Sequence, residues 1–289
     1  MTYEELLRQG EETLQKAGID SARLDARLLL EHCTQLPREA LVLKAKEKVE
    51  DQVIQGYLDL IQRRENFEPV SKIVGHKAFY DLTFMVTRDT LDPRADSETL
   101  IEAVLKHFPN TDQKLRILDL GTGTGCLLLT LLNQYRNAHG MGVDISAEAL
   151  TVAFINATHL EDSDPTLMDR LDLVQTSWTQ GLENEGTFDL IVSNPPYIPT
   201  SDIQTLERDV KDHDPHLALD GGTDGMKCYD IIIKSVPPLL NPQGFLFLEI
   251  GFGQENDVTN RALDNGFHLI EWKKDIRGIS RCGVFQKKD

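Results

Sequence analysis

The sequence predicts an α/β fold: a doubly wound, mostly parallel sheet, preceded by a small all-α N-terminal domain and joined to it by a β-hairpin. Three observations predict it. Apolar residues recur at helical spacing over residues 2–66, strand-like and helix-like segments alternate from residue 98 onward, and the glycine-rich stretch Gly121-Thr122-Gly123-Thr124-Gly125 sits between a strand and its helix. With 289 residues and 40% hydrophobic content, the chain is long enough for about two domains.

In the N-terminal part, Leu6, Leu7 and Leu14, then Leu24, Leu28 and Leu30, then Val53, Ile54, Tyr57, Leu58 and Ile61 keep the helical period. Gly18, Asp20-Ser21 and Pro37 divide this stretch into about four helices. Residues 1–72 thus form a helical domain, read either as a substrate-docking element or as a structural cap. Val70 to Val86 mixes β-formers with Gly75 and Asp81 and reads as a β-hairpin, giving a linker over 73–97. The remaining domain, 98–289, begins with a helix over 97–108 and a strand Arg116–Leu120, then a helix over 125–135, a strand Gly140–Asp144, a helix over 146–158 and a strand Leu171–Val174. After Phe188–Ser193 comes a long loop rich in Asp, Pro and Gly. A helix over 225–236, a strand Phe245–Ile250, a helix over 253–265 and a hairpin-like edge over 267–272 and 281–286 complete it.

Composition excludes several function classes. The net charge is −17, most of it after residue 72. Such a surface repels a phosphate backbone, so a nucleic-acid substrate is disfavoured and a basic protein partner fits better. Cys33, Cys126, Cys228 and Cys282 are far apart and form no Cys-x-x-Cys pair, which indicates neither a zinc site nor a disulfide framework and points to a reduced, cytoplasmic setting. The opening Met1-Thr2-Tyr3-Glu4-Glu5 lacks a basic n-region, and no apolar run approaches the ~20 residues that span a bilayer. No signal peptide or membrane span is expected. His213, Asp214 and His216 lie close together without a further ligand at sensible spacing, so no metal is expected either.

Two motifs carry chemistry. The glycine turn lets the backbone approach a ligand closely and leaves N–H groups exposed at a helix start. Asp144 ends the next strand, where a carboxylate can accept both hydroxyls of a ribose. The spacing is Gly-x-Gly-x-Gly rather than the dinucleotide Gly-x-Gly-x-x-Gly, and the strand before it ends near Asp119, so a nucleoside without a pyrophosphate fits better; a tight turn with a capping Asp is the plainer alternative. The second motif, Asn194-Pro195-Pro196-Tyr197, opens the loop at the carboxyl end of the strand Phe188–Val192, where open α/β sheets bind ligands. Asn194 offers an uncharged acceptor, the prolines stiffen the backbone and leave the Pro195 carbonyl unpaired, and Tyr197 offers a flat face. Together they suit a planar, hydrogen-bearing nitrogen. Taken alone, the tetrapeptide reads equally as an Asn-Pro turn with an exposed Tyr.

With both motifs present, the sequence resembles class I S-adenosylmethionine-dependent methyltransferases, and more closely the family that methylates the glutamine of the GGQ motif in peptide chain release factors. The resemblance covers most of the chain. It rests on Pro93-Arg94-Ala95-Asp96-Ser97-Glu98, Asp119-Leu120-Gly121 to Gly125, Asn194-Pro195-Pro196-Tyr197, Ala218-Leu219-Asp220-Gly221-Gly222 with Asp224-Gly225, and Leu248-Glu249-Ile250-Gly251. Asn-Pro-Pro-Tyr is shared with DNA adenine and some ribosomal RNA methyltransferases, whereas Pro-Arg-x-Asp-Ser/Thr-Glu is narrower. The resemblance implies a seven-stranded Rossmann-like methyltransferase sheet and a protein-(glutamine-N5) methyltransferase that releases S-adenosylhomocysteine. Gly121, Thr122, Gly123, Thr124, Gly125, Asp144, Ile145, Trp178 and Asn194 then hold the cofactor, and Asn194, Pro195, Pro196 and Tyr197 hold the substrate, with Asn194, Pro195 and Tyr197 serving the chemistry.

The chain departs from the family at three places: Ala95 stands where Pro is usual, Asp92 where an apolar residue is usual, and Ser177 where Asp commonly precedes an aromatic residue. Trp178 can still wall an adenine, or it can simply fill the core. Arg94, Asp96 and Glu98 read as ordering the cofactor site or as a surface ion-pair network. Asp220 and Glu249 read as loop-positioning residues rather than bases. The alternatives to release factors are a ribosomal-protein glutamine, an exocyclic base nitrogen, a non-catalytic cofactor-sensing module and a nicotinamide dehydrogenase.

Overall fold

The computed structural model describes residues 1–288. In chain order its elements are α1 (Tyr3–Lys16), α2 (Ala22–Thr34), α3 (Arg38–Leu43), α4 (Asp51–Glu65), α5 (Val70–Val74), β1 (His76–Phe79), β2 (Leu82–Met85), α6 (Glu98–His107), β3 (Arg116–Leu120), α7 (Cys126–Gln134), β4 (His139–Asp144), α8 (Ala147–Leu160), β5 (Leu171–Gln175), β6 (Phe188–Ser193), α9 (Arg208–Lys211), α10 (Lys227–Ser235), β7 (Leu240–Glu249), α11 (Glu255–Asp264), β8 (Phe267–Lys274) and β9 (Ser280–Lys287). The chain divides into two compact units: Met1–His76 with Glu207–His213, and Lys77–Leu206 with the chain from Asp214 onward.

The helical unit packs Leu6, Leu14, Ala26, Leu29, Leu30, Tyr57 and Ile61 into one core. α1 starts at a capping box, with Thr2 accepting from the Glu5 N–H and Glu5 accepting from the Thr2 N–H. Val70–Val74, expected in the hairpin, is instead a helix; Gly75 ends it at φ +82°, a conformation glycine adopts without strain. Pro69 starts it as the N-cap residue, which the β-propensity of Val70, Ile73 and Val74 does not override. The segment Glu207–His213 belongs to this unit through Arg64, whose guanidinium pairs with buried Asp25 at 2.7 Å and with Asp209 at 2.9 Å. Arg208 also stacks 4.1 Å over the Phe67 ring, and Lys72 Nζ donates to the His213 carbonyl at 2.6 Å.

The second unit holds a seven-stranded sheet in the order β5-β4-β3-β6-β7-β9-β8. β3 to β7 run parallel, while β9 pairs antiparallel to both β7 and β8. The terminal hairpin is therefore only half an edge: β8 lies outermost and β9 is paired on both sides. Alternation along the strands builds two cores. Ile117, Leu190, Val192, Phe247 and Val284 face one core with residues of α6 and α7. Leu118, Leu120, Ile191, Leu246, Leu248 and Phe285 face the other, with Tyr229 and Ile232 of α10. Gly140 in β4 packs closely beneath α7: a Cβ there would stand 2.7 Å from Leu128 Cδ1 and 2.9 Å from Leu132 Cδ1, so those side chains would have to shift. No helix among the described residues is long and apolar enough to cross a membrane.

Arg64 gives the helical unit a sharp test. Arg64→Ala leaves Asp25 buried with one hydrogen bond from Ser21 and no cation, which costs about 3–5 kcal/mol. Urea unfolding followed by α-helical signal should show the midpoint of this unit falling, with an Arg64→Lys variant recovering part of it.

Candidate functional site

Two loops at the carboxyl ends of adjacent parallel strands, β3 and β6, form the site. The β3 loop enters α7 through Gly121 at φ +76°, Gly123 at φ +56° and Gly125 at φ +78°. Nothing lies within 4 Å of where a Gly123 Cβ would stand, so glycine is needed there for conformation and not for packing. The loop is held from both sides. Asp144 at the end of β4 accepts from the Gly123 N–H at 2.9 Å through Oδ2 and from the Ser146 N–H at 3.0 Å through Oδ1. Buried Asn156 of α8 donates to the Thr124 carbonyl at 2.9 Å and exchanges hydrogen bonds with the Met85 backbone.

A cavity of about 320 Å³ opens over this turn, at the small end of the range for small-molecule sites. Gly121, Gly123, Asp144, Ile145, Trp178, Asn194 and Pro196 line it. Thr122, Thr124, Gly125, Pro195 and Tyr197 do not. Thr122 Oγ1 donates to Asp119 Oδ2 at 2.8 Å beneath the turn, Thr124 is buried, and Gly125 is the cap of α7. Trp178 stands at φ +54°, uncommon for a bulky residue, with its ring 3.6 Å from where a Gly121 Cβ would be. It packs on the core beneath and also lines the cavity.

Tyr197 takes a different place from the flat wall expected of it. Its ring packs into the core, and burial followed by the Glu249 charge pushes its phenol well above the usual value. Glycines of three separate motifs crowd it: a Cβ on Gly251 would meet its Cδ2 at 2.9 Å, one on Gly221 its Cα at 2.8 Å, and one on Gly225 its carbonyl oxygen. The Gln254 side chain donates to that carbonyl at 3.0 Å. Tyr197 thereby anchors the long loop from β6, which Ile198 pairs back to Asp220 in a short parallel bridge. Asp220 accepts from Thr200 Oγ1 at 2.6 Å and from the Gly222 N–H at 2.9 Å, a positioning role as the sequence suggested.

Asn194 lines the cavity and donates through Nδ2 to Ser97 Oγ at 3.1 Å. The carboxyl of Glu249 at the end of β7 is buried, and burial pushes it up to about 7. Of the flanking charges, Arg94 pairs with buried Asp214 at 2.5 Å, Asp96 with Arg281 at 2.8 Å, and Glu98 accepts from the Tyr80 N–H at 2.9 Å. Asp214 and His213, weighed as metal ligands, are engaged elsewhere: His213 faces the Asn66 carbonyl. The sequence missed Ser97 as an Asn194 partner, and also missed Lys227, Cys228, Ile231 and Leu217 as cavity residues, because no local pattern joins segments so far apart.

The cavity fits S-adenosylmethionine by its donor set. Asp144 keeps lone pairs for ribose hydroxyls, and Ile145 and Trp178 supply apolar faces at the same wall. Asp119, fully buried under the turn, has Oδ1 without a partner, and burial pushes it up to about 7 from 3.8. The folded state thus binds this proton more tightly, so the stability is full below about 3.8 and is lost as pH rises through about 7. Asp119→Asn should flatten the fall in the thermal midpoint between pH 5 and pH 8, measured by scanning calorimetry. Asp144→Ala should weaken S-adenosylhomocysteine binding about 10–100-fold by titration calorimetry, as expected when strong hydrogen bonds to a carboxylate are lost.

Known proteins are similar to this chain. The family described as PrmC N-terminal domain matches residues 5–75, and the methyltransferase small domain matches residues 89–223. A release factor glutamine methyltransferase of Rhodospirillum rubrum is 44% identical over 283 residues, covering 98% of this chain and 84% of its own. One from Agrobacterium fabrum is 38% identical over 277 residues, covering 95% and 93%. Among solved structures, a methyltransferase from Pyrococcus furiosus shares the fold at TM-score 0.52 and 18% identity, covering 74% of this chain and 92% of its own. With two near-full-length relatives at this identity, and with Asn-Pro-Pro-Tyr and the glycine turn meeting at one cavity, the chain belongs to the release factor glutamine methyltransferase family.

Proposed function

We propose that this protein transfers a methyl group from S-adenosylmethionine to the side-chain amide nitrogen of the GGQ glutamine of peptide chain release factors. The observation that carries the reading is the meeting of Gly121, Gly123, Asp144, Ile145 and Trp178 with Asn194 and Pro196 around one cavity, a nucleoside cradle facing a neutral hydrogen-bond acceptor.

An amide nitrogen is a weak nucleophile because its lone pair is delocalised into the carbonyl. No side chain at neutral pH can deprotonate it outright, so orientation must supply most of the help. When bound, S-adenosylmethionine supplies an electrophilic methyl on a sulfonium and leaves as S-adenosylhomocysteine. Asn194 Oδ1 and the Pro195 carbonyl each accept one amide hydrogen of the glutamine, which turns the nitrogen lone pair toward the methyl donor. As positive charge grows on nitrogen, these two acceptors stabilise it, and the surplus proton passes to water. Holding reactants in such near-attack geometry contributes roughly 7–11 kcal/mol, more than one hydrogen bond could. Tyr197 supports this clamp from behind by fixing the loop backbone rather than by touching the amide.

A protein acceptor is supported by the net charge of −17, which opposes a phosphate backbone. In this reading the helical unit docks the release factor, with exposed Leu24, Val42 and Leu43 available for contact, and the protein works in the cytoplasm.

Labelled methyl transfer to unmethylated release factors, with ribosomal RNA and ribosomal proteins as parallel arms, tests the proposal. The expected product is methylglutamine in the GGQ loop, with Asn194→Ala reducing turnover about 10²–10³-fold. Label on a base or on another residue type overturns it.

A further inference from the structure

We propose that Phe252 and Ile276 form an apolar docking ridge for the methyl-acceptor protein, seating the release-factor surface beside its GGQ loop. The inference rests on the function proposed above and deepens it by naming where the acceptor protein sits.

The sheet topology puts both residues at the end that carries the site. β9 runs antiparallel to β7 with Glu249 opposite Cys282, and the Ile250 N–H extends that pairing to the Arg281 carbonyl at 2.9 Å. β8 closes the hairpin by pairing Lys274 with Ser280. The turn between β8 and β9 therefore projects from the carboxyl end of the parallel strands, as do the glycine turn and Asn194. Phe252 leaves β7 at the same end, next to Gly251, whose Cβ position would stand 2.9 Å from the Tyr197 ring. Ile276 is tied to the site through its neighbour. Arg277 lies 3.6 Å from Asp96, and the following residue, Ser97, accepts from Asn194 Nδ2 at 3.1 Å.

Phe252 is 80% exposed and Ile276 is fully exposed, more than any other large apolar side chain described in this unit. The third in rank, Leu217, lines the cavity itself. A single exposed apolar residue carries no message, but the three most exposed gathered at one end of the sheet mark an interaction surface.

The turn is built to hold its shape. Asp275 Oδ1 accepts from the Arg277 N–H at 2.8 Å and the Ile279 N–H at 2.9 Å, and the Asp275 N–H donates to the Ile279 carbonyl at 2.8 Å. Arg281 then joins Asp275 at 3.3 Å to Asp96 at 2.8 Å. Ile276 stands out on a fixed backbone, which lowers the ordering cost of binding.

Charge pairing favours a protein partner over a nucleic acid here. Arg277 and Arg281 are paired with Asp96 and Asp275, and Lys273 is paired with Glu102 at 3.1 Å. The ridge thus presents an apolar side chain beside cations that already have partners. A protein glutamine that reaches Asn194 brings its neighbours with it, and a stable protein contact covers about 800 Å² on each partner. A footprint of that size around Asn194 extends over the segments that Asp96 and Gly251 hold.

Ile276→Ser and Phe252→Ser in the full-length protein test the ridge against intact, unmethylated release factor. Each should raise KM, and weaken release-factor binding to the S-adenosylhomocysteine-loaded protein, by about 10–100-fold, the loss from leaving one large apolar side chain unburied. The kcat should stay within about twofold, because the lost contact is equally strong in the ground state and the transition state. The weakening should be the same at low and high salt, since apolar burial is not screened as charge is. S-adenosylhomocysteine affinity by calorimetry and the thermal midpoint should match the parent. Phe154→Ser, at a half-exposed position on α8, should change none of these readouts. If both ridge variants keep the parental KM and release-factor affinity while Asn194→Ala is inactive, the ridge is wrong and the function stands. A parent protein that methylates no release factor overturns both. A lower thermal midpoint with a matching loss of cofactor affinity assigns the two residues to scaffolding and overturns the ridge. So does self-association of the parent that Ile276→Ser abolishes, which would assign the surface to a second copy of this chain.

Discussion

The site depends on the buried parallel pairing of β3 with β6. Their registers align Ile117 with Leu190 and Asp119 with Val192, and the pairing is closed at the carboxyl end by Ser193 Oγ donating to the Leu120 carbonyl at 2.6 Å. Both strands are apolar on their two faces, so neither can slide without exposing core on one side. Because the glycine turn starts just after Leu120 and Asn-Pro-Pro-Tyr just after Ser193, this one register sets the distance between the glycine turn and Asn194. The positioning required for methyl transfer to a weak nucleophile is thereby inherited from strand pairing and not left to loop mobility.

Two buried carboxyls lie at the ends of strands, Asp119 under the glycine turn and Glu249 at the end of β7. Both are pushed up to about 7 by burial, and each retains one oxygen without a hydrogen-bond partner. By linkage both favour the folded state at low pH and lose that contribution as pH rises toward neutrality.

The long excursion after β6 solves a different problem. It must leave the sheet, contribute to the cavity and return without displacing Asn194. Tyr197 holds it at one end, through its ring in the core and its carbonyl on Gln254, while the bridge from Ile198 to Asp220 ties the outgoing chain to the returning one. Glycines 221, 225 and 251 are needed because Tyr197 occupies the space their side chains would take. Motifs that look separate in the sequence are thus the walls of one socket for a tyrosine.

The amino-acid sequence by itself determined the alternation of strands and helices, the strand ends that bear the glycine turn and Asn194, and the pairing of that turn with Asp144, since hydrophobic period and local backbone chemistry are written in neighbouring residues. It misread Val70–Val74, where five β-forming or neutral residues are held as a helix by the Pro69 start and the Gly75 stop. Only the tertiary structure decided that Tyr197 turns inward, that Glu207–His213 joins the helical unit through Arg64, and that Ser97 meets Asn194. The physical reason is common to all three. Such contacts are made between segments that come from different strands and loops, and their energy comes from burial and from hydrogen bonds across the fold, which no local pattern records.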